Sequence, residues 1–437
     1  PQNIPDEIGY DRIRDAFRSK SEIAYQGAVQ RLDNKRTHLK QNPKPADNAV
    51  VPEFKRMPPA VWIGPSALTI PCPVTDMEQL SNRLSKVFSD YPELFNHCVK
   101  VYQKRVDYYR LTSEGQKILQ PDTVFHITAR ASIKTDGNEV KTEYYRLHVG
   151  GINDLPSEDA LIGELHRFAE YMQQKSQAKA VEDLYIGPVL YEDDAAMELL
   201  AEKIADYSHS YWISIRNQSD RKHRYLGKQV FPPALSVCQL GNDSVYNGVK
   251  LLGYRQVDAD GTKPKTLPII EKGILKHMLT GRTPSLGCPA STGNEHFDGL
   301  SRTLETRYTA GVFRVTSNRP VPYSKLYKRF LKAAKKAGLE HTYIIRKNRT
   351  SPYALIRVDL STGKEELVEG NYNSPSREQF KRMHAISKEE NVYNLDPAGG
   401  KGLGIIAPKA ILLEDMELDI TPNRARHIDE AFYELRH

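Results

Sequence analysis

The sequence predicts an α+β protein: an N-terminal α/β domain with antiparallel hairpins and packed helices, followed by a β-rich C-terminal domain with a few helices. Apolar residues recur at helical spacing in several N-terminal segments, whereas β-rich runs separated by Gly and Pro turns dominate from Tyr185 onward. No repeat of about 20–50 residues is visible. We expect an N-terminal helix and linker over residues 1–60, an α+β domain over 61–180 and a β-rich domain over 181–437.

The first two elements are predicted as helices. Residues 21–40 carry apolar side chains at roughly helical intervals, and a proline-containing linker follows at residues 41–45. A second helix is predicted from near Asp76, where Met77, Leu80 and Leu84 recur at helical spacing, and it should end before Tyr91.

Strands follow in the middle of the N-terminal half. Thr112–Gly115 is a turn signal, and an Asp-Gly pair at residues 136–137 lies between two β-rich runs, which favours a hairpin. The predicted strands cover residues 99–111, 123–133 and 139–149. A helix over residues 157–176 is expected to complete this part of the fold.

Two helices are predicted within the β-rich C-terminal half. The first covers residues 193–206, where Ala and Leu are frequent, and the second covers residues 323–337, with Gly338 as its cap. The second helix is basic on one side and apolar on the other. The default interpretation of such a helix is a solvated outer face, and the alternative is a contact with nucleic acid or an anionic surface.

Composition limits the classes of function. The 437 residues are 39% hydrophobic and 27% charged, with a formal net charge of +7, which is ordinary for a globular chain and indicates no nucleic-acid partner. No apolar run approaches the roughly 18–20 residues that cross a bilayer, so no membrane span is predicted. The four cysteines are widely spaced and form no Cys-x-x-Cys pair. Phosphate-binding loops and serine-hydrolase elbows are absent from the sequence.

A series of short motifs occurs in an order that resembles the TldD/PmbA family. The run Leu184–Tyr191 precedes an Ala- and Leu-rich helix, as it does in that family, and further similar segments occur on both sides of it. Segments 363–370 and 405–414 look like the exported branch of the family. The other matching segments are residues 112–115, 257–261, 269–276, 279–282 and 291–294.

The zinc-dependent members of this family carry His-Glu-x-x-x-His on the helix after the Leu184–Tyr191 segment, and a cysteine near the C-terminus completes their metal site. The resemblance aligns Ala201 and Asp206 with the two histidines, Glu202 with the glutamate and Gly399 with the cysteine. Zinc sites need imidazole, thiolate or carboxylate ligands, so the resemblance implies no cofactor here. Asp206 alone could bind a cation, and Glu202 matches the family glutamate, a general base. The alternative is that both are ordinary polar residues of the helix.

Two turn segments are candidates for peptide contacts, because glycine lets a peptide backbone approach closely. The residues are Asp260 and Gly261 in the first segment, and Gly293 and Asn294 in the second. The alternative is structural, since tight turns require the same glycines.

The resemblance implies the non-catalytic partner or peptide-binding subunit of a peptide-processing, metallopeptidase-type assembly. The expected partners are a peptide or unfolded polypeptide and, in a homodimer or heterodimer, a second subunit such as a zinc-bearing relative. A stand-alone peptide-binding or scaffold homodimer outside the inner membrane is the alternative, and an active metallopeptidase with unidentified ligands is a further one. An exported, periplasmic location is expected, with a cytoplasmic one as the alternative.

Overall fold

The computed structural model describes residues 9–41, 57–64, 72–135, 139–208, 222–282, 288, 290–297, 306–308, 311–351, 353–395 and 402–421. Within these ranges helices combine with mixed β-sheets, which confirms the predicted α+β class. No helix in the described ranges has the length and apolar character that crossing a membrane requires.

Five of the helices were predicted from the sequence, although the first of them begins at Tyr10 and not near residue 21, and a sixth, short one was not predicted. The missed helix, α6, begins with a capping box in which Ser376 and Gln379 bond to each other's backbone, a local signal that the sequence does contain. The helices are α1 (Tyr10–Gln41), α2 (Val74–Ser85), α3 (Glu158–Ser176), α4 (Asp194–Ser208), α5 (Tyr323–Lys336) and α6 (Arg377–Lys381).

The N-terminal sheet is built around a long hairpin. Its strands are β1 (Val61–Ile63), β2 (Phe95–Leu111), β3 (Lys117–Lys134) and β4 (Val140–Val149). β2 and β3 pair antiparallel on either side of the predicted turn, where Gly115 has a φ of 89° that favours glycine. β3 and β4 also pair antiparallel, as predicted, although the Asp-Gly pair between them lies outside the described residues. Helices α2 and α3 pack their apolar residues on one face of this sheet.

The C-terminal half is rich in strands, as predicted. Its described strands are β5 (Lys179–Ala180), β6 (Asp183–Asp193), β7 (Leu235–Gln239), β8 (Val245–Tyr246), β9 (Val249–Lys250), β10 (Leu267–Glu271), β11 (Ile274–Leu275), β12 (Glu295–Phe297), β13 (Thr306–Tyr308), β14 (Val312–Ser317), β15 (His341–Lys347), β16 (Thr350–Ser351), β17 (Ala354–Asp359), β18 (Glu365–Glu369), β19 (Met383–Ile386), β20 (Glu390–Leu395), β21 (Leu403–Pro408) and β22 (Ala410–Ile420).

Two large sheets organise these strands. One has the described strand order β19-β22-β6-β15-β17-β18-β5, and the other has the order β11-β10-β7-β14-β21-β20. β16 belongs to neither sheet, because it pairs with β4 of the N-terminal sheet. The domain boundary near residue 180 stays a prediction.

Helix α4 lies in the main core, which residues of both large sheets share. Its Leu200 and Ile204 are at most 1% exposed and pack with Val189 of β6 and Ile405 of β21. Helix α5 covers the opposite face of the first sheet through Leu326 and other fully buried side chains. Helix α4 is therefore held against both large sheets by packed apolar side chains.

Candidate functional site

Helix α4 begins directly where strand β6 ends. Asp193, the last residue of β6, has a φ of 54°, a left-handed conformation that Asp adopts more readily than most residues. This conformation turns the chain into the helix without a loop. The sequence therefore fixes the direction in which α4 leaves the sheet.

Four acidic residues follow one another at intervals of four along α4: Asp194, Glu198, Glu202 and Asp206. This spacing places them on the same side of the helix. Each carboxylate has a partner. Asp194 accepts from the backbone N–H of Arg349 at 2.8 Å, and Glu198 lies 2.5 Å from Nζ of Lys347. Glu202 lies 2.7 Å from Nζ of Lys203, and Asp206 lies 3.2 Å from Nε of Arg377. This row was not predicted from the sequence, although its spacing of four residues is visible there.

The three motif positions on α4 have separate local roles. Ala201 is partly buried and packs against the main core, where its methyl group offers no ligand atom. The Asp206 carboxylate is paired with Arg377, whose guanidinium lies over the Tyr207 ring at 5.1 Å. Glu202 is half-exposed, and its second carboxylate oxygen accepts a hydrogen bond from the Ser374 hydroxyl at 3.1 Å.

Gly399 lies outside the described residues, so its place relative to α4 stays a prediction. Within the described ranges, no group of three or more His, Cys, Asp and Glu side chains is arranged to hold a metal ion.

A cavity of about 290 Å³ opens beside α4, on the side of the helix that carries Glu202. Tyrosines and aliphatic side chains form much of its wall, and polar groups lie between them. Its lining comprises Tyr171, Lys175, Tyr191, Ala195, Leu199, Glu202, Tyr353, Leu355, Leu367, Val368, Glu369, Gly370, Asn371, Tyr372 and Ser374.

Tyr191 carries one of the buried polar groups of this cavity. Its side chain belongs to strand β6 and is only 3% exposed. Its hydroxyl has no hydrogen-bond partner among the described residues. Because a buried polar group without a partner lowers stability, this hydroxyl is a candidate contact for a bound polar group.

Buried ion pairs form one end of the cavity and join the two halves of the chain. Glu369 of β18 accepts from Nζ of Lys141 at 2.8 Å, and Lys175 of α3 pairs with Glu143 of β4. Burial raises the pKa of Glu143 to about 7, although Lys175 acts in the opposite direction. The cavity wall therefore depends on contacts from both halves.

A second cluster joins the N-terminal hairpin to the loop before β10. Asp260 is fully buried and its carboxylate lies 2.9 Å from a guanidinium nitrogen of Arg110. The backbone N–H of Arg282 lies 3.3 Å from the Asp260 carboxylate and 3.4 Å from that of Glu295, so the two carboxyl groups share a donor. Burial, together with the neighbouring Glu295, raises the pKa of Asp260 to about 8.

The neighbouring Asp258 holds the turn together. Its Oδ1 accepts from the backbone N–H groups of Asp260 and Thr262, each at 2.9 Å, and its Oδ2 accepts from that of Glu295 at 3.1 Å. Burial raises the pKa of Asp258 to about 7. The turn is therefore fixed by a side chain that the sequence analysis did not select.

The remaining predicted contact residues are close to this cluster. Gly261 and Gly293 have φ values of 78° and 77°, and an added Cβ would lie 2.7 Å and 2.5 Å from the nearest atoms of other residues. Asn294 is 1% exposed and exchanges hydrogen bonds with Gln239 at 3.0 and 2.7 Å. Turn geometry and close packing thus require these residue types. Their contact with a peptide stays a prediction.

Comparisons with known proteins agree with this architecture. Residues 186–320 match the family model described as the PmbA/TldA metallopeptidase C-terminal domain. No curated protein sequence matches the chain significantly.

Three solved structures have a similar fold. A modulator of a DNA gyrase from Thermotoga maritima, as its description reads, is 14% identical with a TM-score of 0.57, over 85% of this chain and 81% of that one. TldE from Thermococcus kodakarensis is 11% identical with a TM-score of 0.55, over 87% and 81%. A modulator of DNA gyrase from Bacteroides thetaiotaomicron is 14% identical with a TM-score of 0.55, over 88% and 80%.

The fold is α+β, and the segment that contains α4 matches a metallopeptidase C-terminal domain model. The model match covers most of β6, all of α4 and the strands that follow up to β14, whereas most partners of the acidic row lie beyond residue 320. Residues 186–320 belong to the TldD/PmbA C-terminal domain family, which confirms the resemblance seen in the sequence, and the three solved structures share the fold of most of the chain.

Proposed function

We propose that this protein is a zinc-less TldD/PmbA subunit that binds peptide and pairs with a zinc-bearing relative. The observation that carries the proposal is the state of α4, where Ala201 occupies one ligand position and Arg377 neutralises Asp206 at the other. A zinc site needs several ligands that converge on one ion, and an arginine beside a carboxylate opposes cation binding by charge repulsion. In such an assembly the partner would supply the metal.

The cavity beside Glu202 supports a binding role for the peptide. Its volume of about 290 Å³ is near the lower limit of small-molecule pockets, which suits a single side chain or a chain end. Tyrosine rings provide apolar area, while Asn371, Ser374 and the Tyr191 hydroxyl provide polar contacts. We therefore propose that one peptide residue enters this cavity.

The Tyr191→Phe substitution should have opposite effects on two properties, the stability of the free protein and its affinity for peptide. The Tyr191 hydroxyl is buried and has no hydrogen-bond partner among the described residues, so its removal should raise the free energy of unfolding of the free protein by about 1 kcal/mol. The same change should weaken peptide binding about 5-fold to 10-fold if the peptide bonds to this hydroxyl. Chemical denaturation and fluorescence titration with a peptide library measure the two effects, and Tyr144→Phe on the N-terminal sheet is the control. Unchanged peptide binding would exclude the Tyr191 contact.

Restoring the ligands tests the alignment on which the zinc-less assignment depends. We expect the wild-type protein to purify without zinc and the triple variant Ala201→His, Asp206→His, Gly399→Cys to bind about one zinc ion. The double variant without the cysteine is the control, and it should bind zinc more weakly because it lacks one ligand. Elemental analysis after equilibration with zinc gives the stoichiometry. Stoichiometric zinc and peptidase activity in the wild type would refute the proposal and favour an active metallopeptidase.

The partner is tested by affinity purification from the native host. Recovery of a zinc-bearing family member supports the heteromeric assembly, whereas recovery of the chain alone supports the stand-alone homodimer.

The similarity of segments 363–370 and 405–414 to exported members leads us to propose a periplasmic location. Cell fractionation tests it, and recovery with the cytoplasm would contradict it.

A further inference from the structure

The outer surface of helix α5 carries an unusual concentration of positive charge. Its residues include Lys325, Lys328, Arg329, Lys332, Lys335 and Lys336, and the helix contains no Asp or Glu. All six side chains are exposed. Successive residues rotate by about 100° around a helix, so the six cations fall within an arc of about 120°. They extend over about 16 Å of helix axis.

This face has no charge partner within the part of the chain that the structure describes. None of the six cations forms an ion pair there. The nearby carboxylates are engaged elsewhere, since Glu192 accepts from Tyr323, and Glu365 accepts from Tyr327 at 2.9 Å and lies 3.4 Å from Arg346. The positive charge of the arc is therefore not neutralised by these neighbours.

The arrangement is unfavourable for the helix itself. Like charges three or four residues apart, such as Lys328 and Lys332, destabilise a helix, and Lys325 stands near the positive end of the helix dipole. Only the last-turn residues 335 and 336 lie where the dipole favours positive charge. The packing of α5 does not need these residues, because Leu326, Phe330 and Ala334 on the opposite side make the buried contacts. Most of these cations therefore stabilise neither the helix nor the core, which leaves their charge available for a contact with an anionic surface outside the chain.

We propose that the basic face of α5 is a peripheral docking surface for an anionic phospholipid bilayer. The apolar side of the helix is fully committed to the sheet, so α5 can lie on the headgroups but cannot insert. Five of the six cations are lysines, whose flexible, strongly hydrated ammonium groups suit a diffuse layer of lipid charge.

The same observations disfavour nucleic acid as the occupant of this face. Base recognition in a groove combines Arg or Lys contacts to guanine with Asn or Gln contacts to adenine, and single strands bind through stacking on aromatic rings. The arc contains one Arg and no Asn, Gln or aromatic residue, and the half-buried Tyr327 beside it bonds to Glu365. A lipid surface requires only the charge that is present.

The test is co-sedimentation of the full chain with vesicles at low salt. The wild-type protein should bind phosphatidylglycerol-containing vesicles, should not bind pure phosphatidylcholine vesicles, and should dissociate as salt is raised. The Lys328→Gln/Lys332→Gln variant should bind about 30-fold more weakly, since each lysine near an anionic surface contributes about 1 kcal/mol. The Lys179→Gln/Lys228→Gln variant has the same net charge and alters exposed lysines elsewhere, so it should bind like the wild type.

Two further measurements distinguish lipid binding from unfolding of the variant and from binding to nucleic acid. Loss of the like-charge repulsion should leave the Lys328→Gln/Lys332→Gln variant folded, with a thermal midpoint at low salt no lower than that of the wild type. Oligonucleotides, both single-stranded and duplex, are titrated in parallel. Equal weakening in both double variants, binding to neutral vesicles, or α5-dependent binding to oligonucleotide that exceeds binding to vesicles would each overturn the proposal.

Discussion

Replacement of Glu198 by alanine should lower the free energy of unfolding by about 2–4 kcal/mol, because it removes the acceptor of three side chains. Glu198 accepts from Lys347 Nζ at 2.5 Å and from the hydroxyls of Tyr353 and Tyr393, each at 2.6 Å. Burial acts to raise the pKa of Glu198, but Lys347 and the two hydroxyls outweigh it, and the net pKa is lowered. Without this carboxylate, a largely buried ammonium and two hydroxyls lose their partner.

Urea denaturation of the wild type, Glu198→Ala and Glu198→Gln measures this effect. The glutamine variant keeps an acceptor for the hydroxyls but loses the charge, so its loss of stability should be the smaller of the two. Glu78→Ala, on the exposed side of α2, is the control and should change stability by no more than about 0.5 kcal/mol. Equal effects at positions 78 and 198 would show that the row on α4 does not support the site.

The free energy of unfolding should fall as the pH rises from 5 to 8, because the buried carboxyl groups of Asp260 and Glu295 together hold a proton that the unfolded chain releases, and one such proton contributes up to about 1.4 kcal/mol per pH unit. The pKa of Asp260 is raised from its ordinary value of 3.8 to about 8. The folded protein therefore binds this proton more tightly than the unfolded chain. The stabilisation is complete below the ordinary pKa and is lost as the pH rises through the folded pKa.

The Asp260→Asn variant isolates this contribution. Asparagine cannot ionise, so the variant should show a flatter dependence of stability on pH, with a loss of about 1 kcal/mol at pH 5 for the altered contact with Arg110. Asp243→Asn, at an exposed turn, should keep the slope of the wild type. Denaturation curves at several pH values between 5 and 9 give the free energy of unfolding as a function of pH. If its slope is the same in Asp260→Asn as in the wild type, Asp260 and Glu295 do not share a proton.

The sequence predicted those features that depend on local residue patterns. Helix α4 and the β3–β4 hairpin follow from apolar spacing and turn residues, and Gly261 and Gly293 have the positive φ values that tight turns require. The partners of the acidic row could not be predicted in this way. Arg377 and Lys347 are far from α4 along the chain, and nothing in the local sequence of either residue indicates the pairing.

The burial of the turn residues could not be predicted from the sequence. The sequence indicated turns at Asp260 and Asn294, because Asp, Asn and Gly are typical of turns, but it did not indicate that both side chains are buried. The N-terminal hairpin covers this turn, and Arg110 comes from β2 of that hairpin. Only the tertiary structure brings these distant segments together.

The short strand β16 has a consequence for folding during synthesis. Thr350 of β16 pairs with Tyr145 of β4, so the N-terminal sheet contains a strand that the ribosome makes much later. At about 5–20 residues per second, the edge of β4 waits on the order of 10–40 s for this strand. Throughout that interval a row of backbone donors and acceptors on β4 is open to pairing with another chain. We therefore expect chaperones to matter most for this protein during the interval in which the N-terminal half has been synthesised and β16 has not.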